Sequence, residues 1–357
     1  MRGMMRYRKI WSLSLFAVLL TLAFIGCDLN DPDEPGNLVP MTVDEDTALP
    51  SIFVNGTQLH AEAFGDIHNP IIVFLHGGPG SDYRAFISQI GRENASRYPE
   101  ERVYTGGGLS QLQDEYYCVF YDQRGAGLSP RFDKGEVDFD MYVEDLDAVI
   151  DYYLQEKKQQ TDMEDSQVIL MGWSYGGLLA TGYINQHPER VKDVILYESA
   201  PLTKEVWDDF FENVSSPFAA IGDVWLDEHL LSLDHITPGD DHARADYHKL
   251  LGAGRAFPEF HENENWPVWR LGAFVGNENL DFMNADDYDI TSNLSAFQGR
   301  MLFIYGGLTE ALSDSGVDLQ MSYYPQSEEL VISGVGHDGP WEKPDEVAAA
   351  IRDFLDR

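Results

Sequence analysis

Short apolar runs that do not alternate with polar residues recur along the chain, at 71–75, 116–121, 167–171, 194–197, 301–305 and 330–332. A strand with one wet face would show a polar residue at every second position, so unalternating runs predict strands covered on both faces. Between several of them the spacing turns helical, over 139–154, 175–186 and 344–354, the last with apolar residues at 347, 350, 351 and 354. An earlier pair of segments, 51–54 and 58–64, flanks Asn55-Gly56, which supplies the positive φ angles of a two-residue hairpin turn. Alternation of strand and helix predicts an α/β fold with a mostly parallel sheet and helices on both faces. One stretch, 203–296, interrupts the pattern: it is rich in Trp, Phe, His and acids and holds no buried-strand run, and it predicts a helical cap inserted into the core. No repeat recurs at a fixed spacing.

The first 26 residues follow a different pattern. Arg2, Arg6, Arg8 and Lys9 precede an apolar run from Ile10 to Ile25, which ends at Gly26-Cys27. The run is shorter than the roughly 20 residues a helix needs to span a bilayer, and a small residue stands where a peptidase would cut. The segment resembles a bacterial lipoprotein signal. That resemblance implies lipid on the Cys27 thiol and a membrane-anchored protein on the periplasmic or outer side of an envelope. Residues 27–48, dominated by Asp, Glu, Pro, Asn and Gly, predict an acidic flexible tether, followed by a core of 49–202 and 297–357 and the cap of 203–296.

Composition narrows the function classes. A net charge of −37 repels phosphate backbones, so nucleic acid is excluded as a partner. With Cys27 lipidated, Cys118 is the only other cysteine, which excludes a disulfide framework and a cysteine metal site.

Three glycine-rich motifs fall at strand ends. GWSYGG at 172–177 directly follows the run ending at Met171 and opens a helix, which is the pattern of a nucleophile elbow. The tight turn presents the Ser174 hydroxyl at the sheet edge, and glycines flank it because a side chain there would strike neighbouring backbone. HGGPG at 76–80 follows the 71–75 run, where a backbone N–H can pair with that of Tyr175 to bind an oxyanion. His337, in GVGHDG at 334–339, follows the last apolar run and completes the order serine, acid, histidine as a general base. For the acid two positions are open. Gly306-Gly-Leu-Thr309-Glu310 places threonine where an aspartate usually stands, leaving Glu310 one residue late; Glu198 ends the strand after the elbow helix and is preferred on position.

Together with DQRGAGLS at 122–129, these motifs resemble the proline iminopeptidase (prolyl aminopeptidase) branch of the α/β-hydrolase fold, over about residues 50–202 and 297–357. The resemblance implies Ser174 as nucleophile, His337 as base, backbone donors at Gly78 and Tyr175, and structural roles for Asp122 and Arg124. It implies a serine hydrolase that needs no metal or organic cofactor and acts on a small peptide or amide with a free amino end. A carboxylic ester is the alternative substrate. A surface lipoprotein that keeps the scaffold only to bind a ligand is the alternative from another class.

Overall fold

The computed structural model describes residues 34–87, 107–133, 135–214, 241–252, 267–309, 314–324 and 326–357. The signal segment and Cys27 lie outside these residues, as do Glu310 and two stretches of the cap. Eight strands form one sheet: β1 (Ser51–Val54), β2 (Thr57–Phe64), β3 (Ile71–Leu75), β4 (Tyr117–Tyr121), β5 (Val168–Trp173), β6 (Val191–Tyr197), β7 (Arg300–Gly306) and β8 (Ser327–Ile332). Their order is β1-β2-β4-β3-β5-β6-β7-β8. The first two strands pair antiparallel, β2 joins β4 antiparallel, and every later pairing is parallel.

The helices are α1 (Arg84–Ile87), α2 (Phe139–Thr161), α3 (Tyr175–Gln186), α4 (Lys204–Val214), α5 (His242–Gly252), α6 (Ala273–Met283), α7 (Asp314–Ser322), α8 (Gly339–Glu342) and α9 (Pro344–Leu355). Every side chain of β3 is buried, and alternate ones enter different cores. Ile71, Val73 and Leu75 meet the apolar stripes of α2 and α3, while Ile72 and Phe74 meet α1 and α9. This two-sided cover is why the run does not alternate. Asp138 caps α2 by accepting the Met141 N–H at 2.9 Å. The helix runs past the predicted end at 154 because the polar residues that follow are good helix formers, and it stops at Asp162 with φ of 60°.

Two expectations need correction. The 330–332 run is not covered on both faces: β8 is an edge strand in which Leu330 and Val331 are exposed and only Ile332 is buried. The flexible tether does not extend to 48. Val39, Thr42 and Val43 are buried, Val43 N–H donates to the Leu128 carbonyl at 2.9 Å, and Arg270 donates to the Pro40 carbonyl at 2.8 Å. The acids of this segment organise a turn instead of solvating a linker, since Glu45 accepts both the N–H and the hydroxyl of Thr42.

The described parts of 203–296 include the helices α4, α5 and α6, and an isolated antiparallel bridge between Thr203 and Asp289 ties the start of α4 to the segment after α6. Among the described residues no helix is long and apolar enough to cross a membrane.

Candidate active site

Ser174 stands between the last residue of β5 and the first of α3 with φ 56° and ψ −121°, a conformation that L-residues seldom adopt. Neighbouring backbone holds it there. Its N–H donates to the Tyr197 carbonyl at 3.0 Å, and its carbonyl accepts from Gly177 at 2.8 Å and Ala200 at 3.0 Å. Glycine is required at 176 because a Cβ there would overlap the Leu75 carbonyl oxygen. The turn therefore fits against the end of β3, where the 76–80 loop begins.

Glu198 follows β6 and is likewise at positive φ, 42°. Its N–H donates to the Ile304 carbonyl at 2.9 Å, and its Oε1 accepts the Gly306 N–H at 2.7 Å. The remaining oxygen, Oε2, lies 3.1 Å from His337 Nδ1. A carboxylate only accepts, so Nδ1 carries a hydrogen, and in the neutral ring this leaves Nε2 with its lone pair.

The loop bearing His337 is fastened by residues adjacent to the two others. Trp173 donates through its indole to the His337 carbonyl at 2.9 Å, and Tyr197 donates through its hydroxyl to the Gly336 carbonyl at 2.7 Å. Ser174 and His337 are partly exposed and Glu198 is buried, so the accessible groups are the hydroxyl and the imidazole.

Thr309, at the position of the expected aspartate, has a buried hydroxyl with no hydrogen-bond partner among the described residues. Glu310 lies outside the described residues. Of the two candidate acids, Glu198 is the one seen paired with the histidine.

In the HGGPG loop, His76 is a structural residue. Its Nε2 accepts the Gln123 N–H at 3.0 Å and its Nδ1 donates to the Gly77 carbonyl at 2.9 Å, an arrangement only the neutral ring can make. Burial pushes its pKa down, against the pull of Asp122. The loop reaches the nucleophile at Gly77, where an added Cβ would lie 3.0 Å from Ser174 Cβ; Gly78 is the next residue. Tyr175 is the first residue of α3, whose backbone N–H has no acceptor within the helix.

Asp122 and Arg124 hold the scaffold. Asp122 accepts from His60 Nδ1 at 2.7 Å, Tyr83 N–H at 3.0 Å and Leu128 N–H at 2.8 Å, while Arg124 makes a two-pronged contact with Asp145.

No local sequence pattern marks the contacts by which the cap grips this end of the sheet. Asp82, two residues past the HGGPG loop, accepts the N–H groups of Trp269 at 2.5 Å and Arg270 at 3.1 Å. Asp246 of α5 is buried between Arg131 and Arg270 at 2.7 Å from each. Among the described residues no group of three or more His, Cys, Asp or Glu is arranged to hold a metal ion.

Comparison with known proteins agrees with this architecture. The chain is 24% identical over 304 residues to the proline iminopeptidase of Thermoplasma volcanium, covering 80% of this chain and 88% of the relative. It is 24% identical over 254 residues to the pimeloyl-[acyl-carrier protein] methyl ester esterase of Aeromonas hydrophila, covering 70% and 89%. Among solved structures, a thermophilic esterase from Thermogutta terrifontis superposes with a TM-score of 0.56 at 21% identity, covering 86% of this chain and 97% of that one. Because the family model described as alpha/beta hydrolase fold matches residues 70–344, well over half of the sequence, the chain belongs to the alpha/beta hydrolase fold family.

Proposed function

We propose that this protein is a serine hydrolase working through an acyl-enzyme. The observation that carries the reading is the Glu198–His337 contact of 3.1 Å, on a loop that Trp173 fastens next to a serine held at positive φ on the elbow between β5 and α3. Ser174 Oγ attacks a substrate carbonyl carbon and loses its proton to His337 Nε2. The imidazolium, oriented and stabilised by Glu198, then gives that proton to the departing amine or alkoxide. The N–H groups of Gly78 and Tyr175 receive the oxyanion of the tetrahedral adduct, each such donor contributing about 3 kcal/mol. Water, deprotonated by the same imidazole, hydrolyses the acyl-enzyme and restores the serine. A fluorophosphonate probe is expected to label the wild type and not Ser174→Ala. A folded wild type that stays unlabelled would instead favour a binding protein on a hydrolase scaffold.

The substrate we infer is a short peptide or amide with a free amino end, which the likeness to proline iminopeptidases supports. A carboxylic ester is the second reading, favoured by the relative named as a methyl ester esterase and by the esterase among the similar structures. Turnover of prolyl amides with free and acetylated amino ends separates the two: the aminopeptidase reading expects acetylation to abolish turnover. Indifference to acetylation, with faster cleavage of short acyl esters, would move the assignment to the esterase.

We also infer lipid attachment at Cys27, on the basic, apolar and small-residue pattern of 1–27. Metabolic labelling with a palmitate analogue in a bacterial host should mark the wild type and not Cys27→Ser. Equal labelling of both would remove the anchor.

A further inference from the structure

The buried side chain of Tyr175 reaches the cap. Its hydroxyl donates to Asn279 Oδ1 on α6 at 2.5 Å. The direction of that bond is fixed by the other end of the amide. Asn279 Nδ2 lies 2.8 Å from the Val275 carbonyl oxygen, one turn earlier on the same helix, and 3.3 Å from the Tyr142 hydroxyl, which itself donates to the Arg124 carbonyl at 3.2 Å. A backbone carbonyl can only accept, so the NH2 group faces Val275 and the oxygen faces Tyr175. Tyr175 and Asn279 are buried, and the Tyr142 ring stands edge-on to the Tyr175 ring with centroids 6.3 Å apart. Burial pushes the Tyr175 pKa far up, so the phenol remains a donor.

The same cap segment also meets the 76–80 loop. Gly272, just before α6, donates its N–H to the Gly80 carbonyl at 2.7 Å. A Cβ at Gly80 would overlap the Gly272 carbonyl oxygen, so the two backbones are in direct contact.

From this we propose that Asn279 is a positioning residue for the oxyanion-binding site: α6 holds the Tyr175 side chain through Asn279 and the 76–80 loop through Gly272. Both backbone donors are thereby registered against one cap helix. The inference rests on the serine-hydrolase reading and extends it to a cap residue remote from the reacting atoms. Tyr175 is the first residue of α3, so a shift of its side chain tilts the N–H that faces the oxyanion. Stabilisation by such donors is sensitive to displacement, because the donor must sit at hydrogen-bond distance from where the charge develops.

The test uses the full chain and the rate of phosphonylation by a fluorophosphonate, whose phosphoryl oxygen occupies the oxyanion position as Ser174 attacks. Asn279→Leu should slow the first-order labelling step about tenfold or more, with less than about twofold change in reversible probe binding. Tyr175→Phe, which removes only the hydroxyl, should slow it comparably. The double variant should be no slower than the slower single one, because both changes break the same link. Asn279→Asp, which keeps an acceptor for the phenol, should label faster than Asn279→Leu. Labelling of Asn279→Leu at the wild-type rate, or slowing in the double variant equal to the product of the single effects, would overturn the inference. Should Asn279→Leu fail to fold, wild-type labelling in Tyr175→Phe would overturn it as well. A wild type that is not labelled at all sinks the serine reading and this inference with it, an outcome distinct from equal rates.

Discussion

Ser174 and Glu198 occupy a backbone region that costs a non-glycine residue about 1–3 kcal/mol, and both stand at strand ends of the candidate site. The surrounding hydrogen bonds hold each in place: Tyr197 and Ala200 fix Ser174, while Ile304 and Gly306 fix Glu198. The Glu198 carboxylate is thus aimed by two backbone contacts before it meets the histidine. Replacing it by glutamine keeps the size and one acceptor but turns an NH2 toward His337 Nδ1, which then must accept, leaving Nε2 protonated and unable to take the serine proton. Glu198→Gln should therefore lower kcat about 10³- to 10⁴-fold with little change in KM or melting temperature. Steady-state kinetics on whichever substrate the wild type turns over checks this. An unchanged kcat would move the acid to another residue.

Among the elements, the contacts between cap and core are unusual in being charged and buried. Asp246 on α5 lies between Arg131, from the loop after β4, and Arg270, from the lead-in to α6. Burial alone would raise its pKa, but the two guanidinium groups outweigh it and hold the carboxyl below the usual range. Asp246→Asn leaves two buried cations short of a counter-charge and should cost about 3–5 kcal/mol in urea unfolding at neutral pH. A carboxyl with a depressed folded pKa stabilises above its unfolded pKa, so the wild-type advantage over Asp246→Asn should shrink as pH falls through that depressed value. Asp82 behaves in the opposite sense. Burial and the nearby Asp122 push its pKa up to about 8, against the N–H groups it accepts. Its contribution is complete below the unfolded value of about 4 and lost as pH rises through about 8. The stability of wild type relative to Asp82→Asn should accordingly decline between those limits, as read from urea midpoints at several pH values. A constant difference would show that Asp82 is ionised in the fold throughout.

For the whole molecule, an excess of acids giving a net charge of −37 makes self-repulsion a standing cost of compactness. Added salt screens it, so the melting temperature should rise between low ionic strength and about 0.5 M NaCl; a fall would mean that buried and surface ion pairs outweigh the repulsion. The apolar runs at 71–75 and 194–197 were legible as covered strands, because a parallel sheet buried on both sides leaves no polar alternation to confuse the reading. The run at 330–332 misled for the complementary reason: local sequence does not say which strand lies at an edge. Acid-rich residues before 49 read as linker, although Val39 and Val43 dock onto the core and Glu45 caps a turn. The elbow around Ser174 and the loop at 76–80 were visible since each is a contiguous glycine pattern tied to a strand end, so sequence alone determined the fold class and the presented hydroxyl. Strand-end position favours Glu198 as the acid, but its contact with His337, the clamp of Asn279 on Tyr175 and the burial of Asp246 between two arginines join residues 139, 104 and more than 20 positions apart. Such pairings leave no local spacing or periodicity, because chain separation is spent in loops and crossovers; only the packing of β6 beside β7 and of the cap on the sheet decided them.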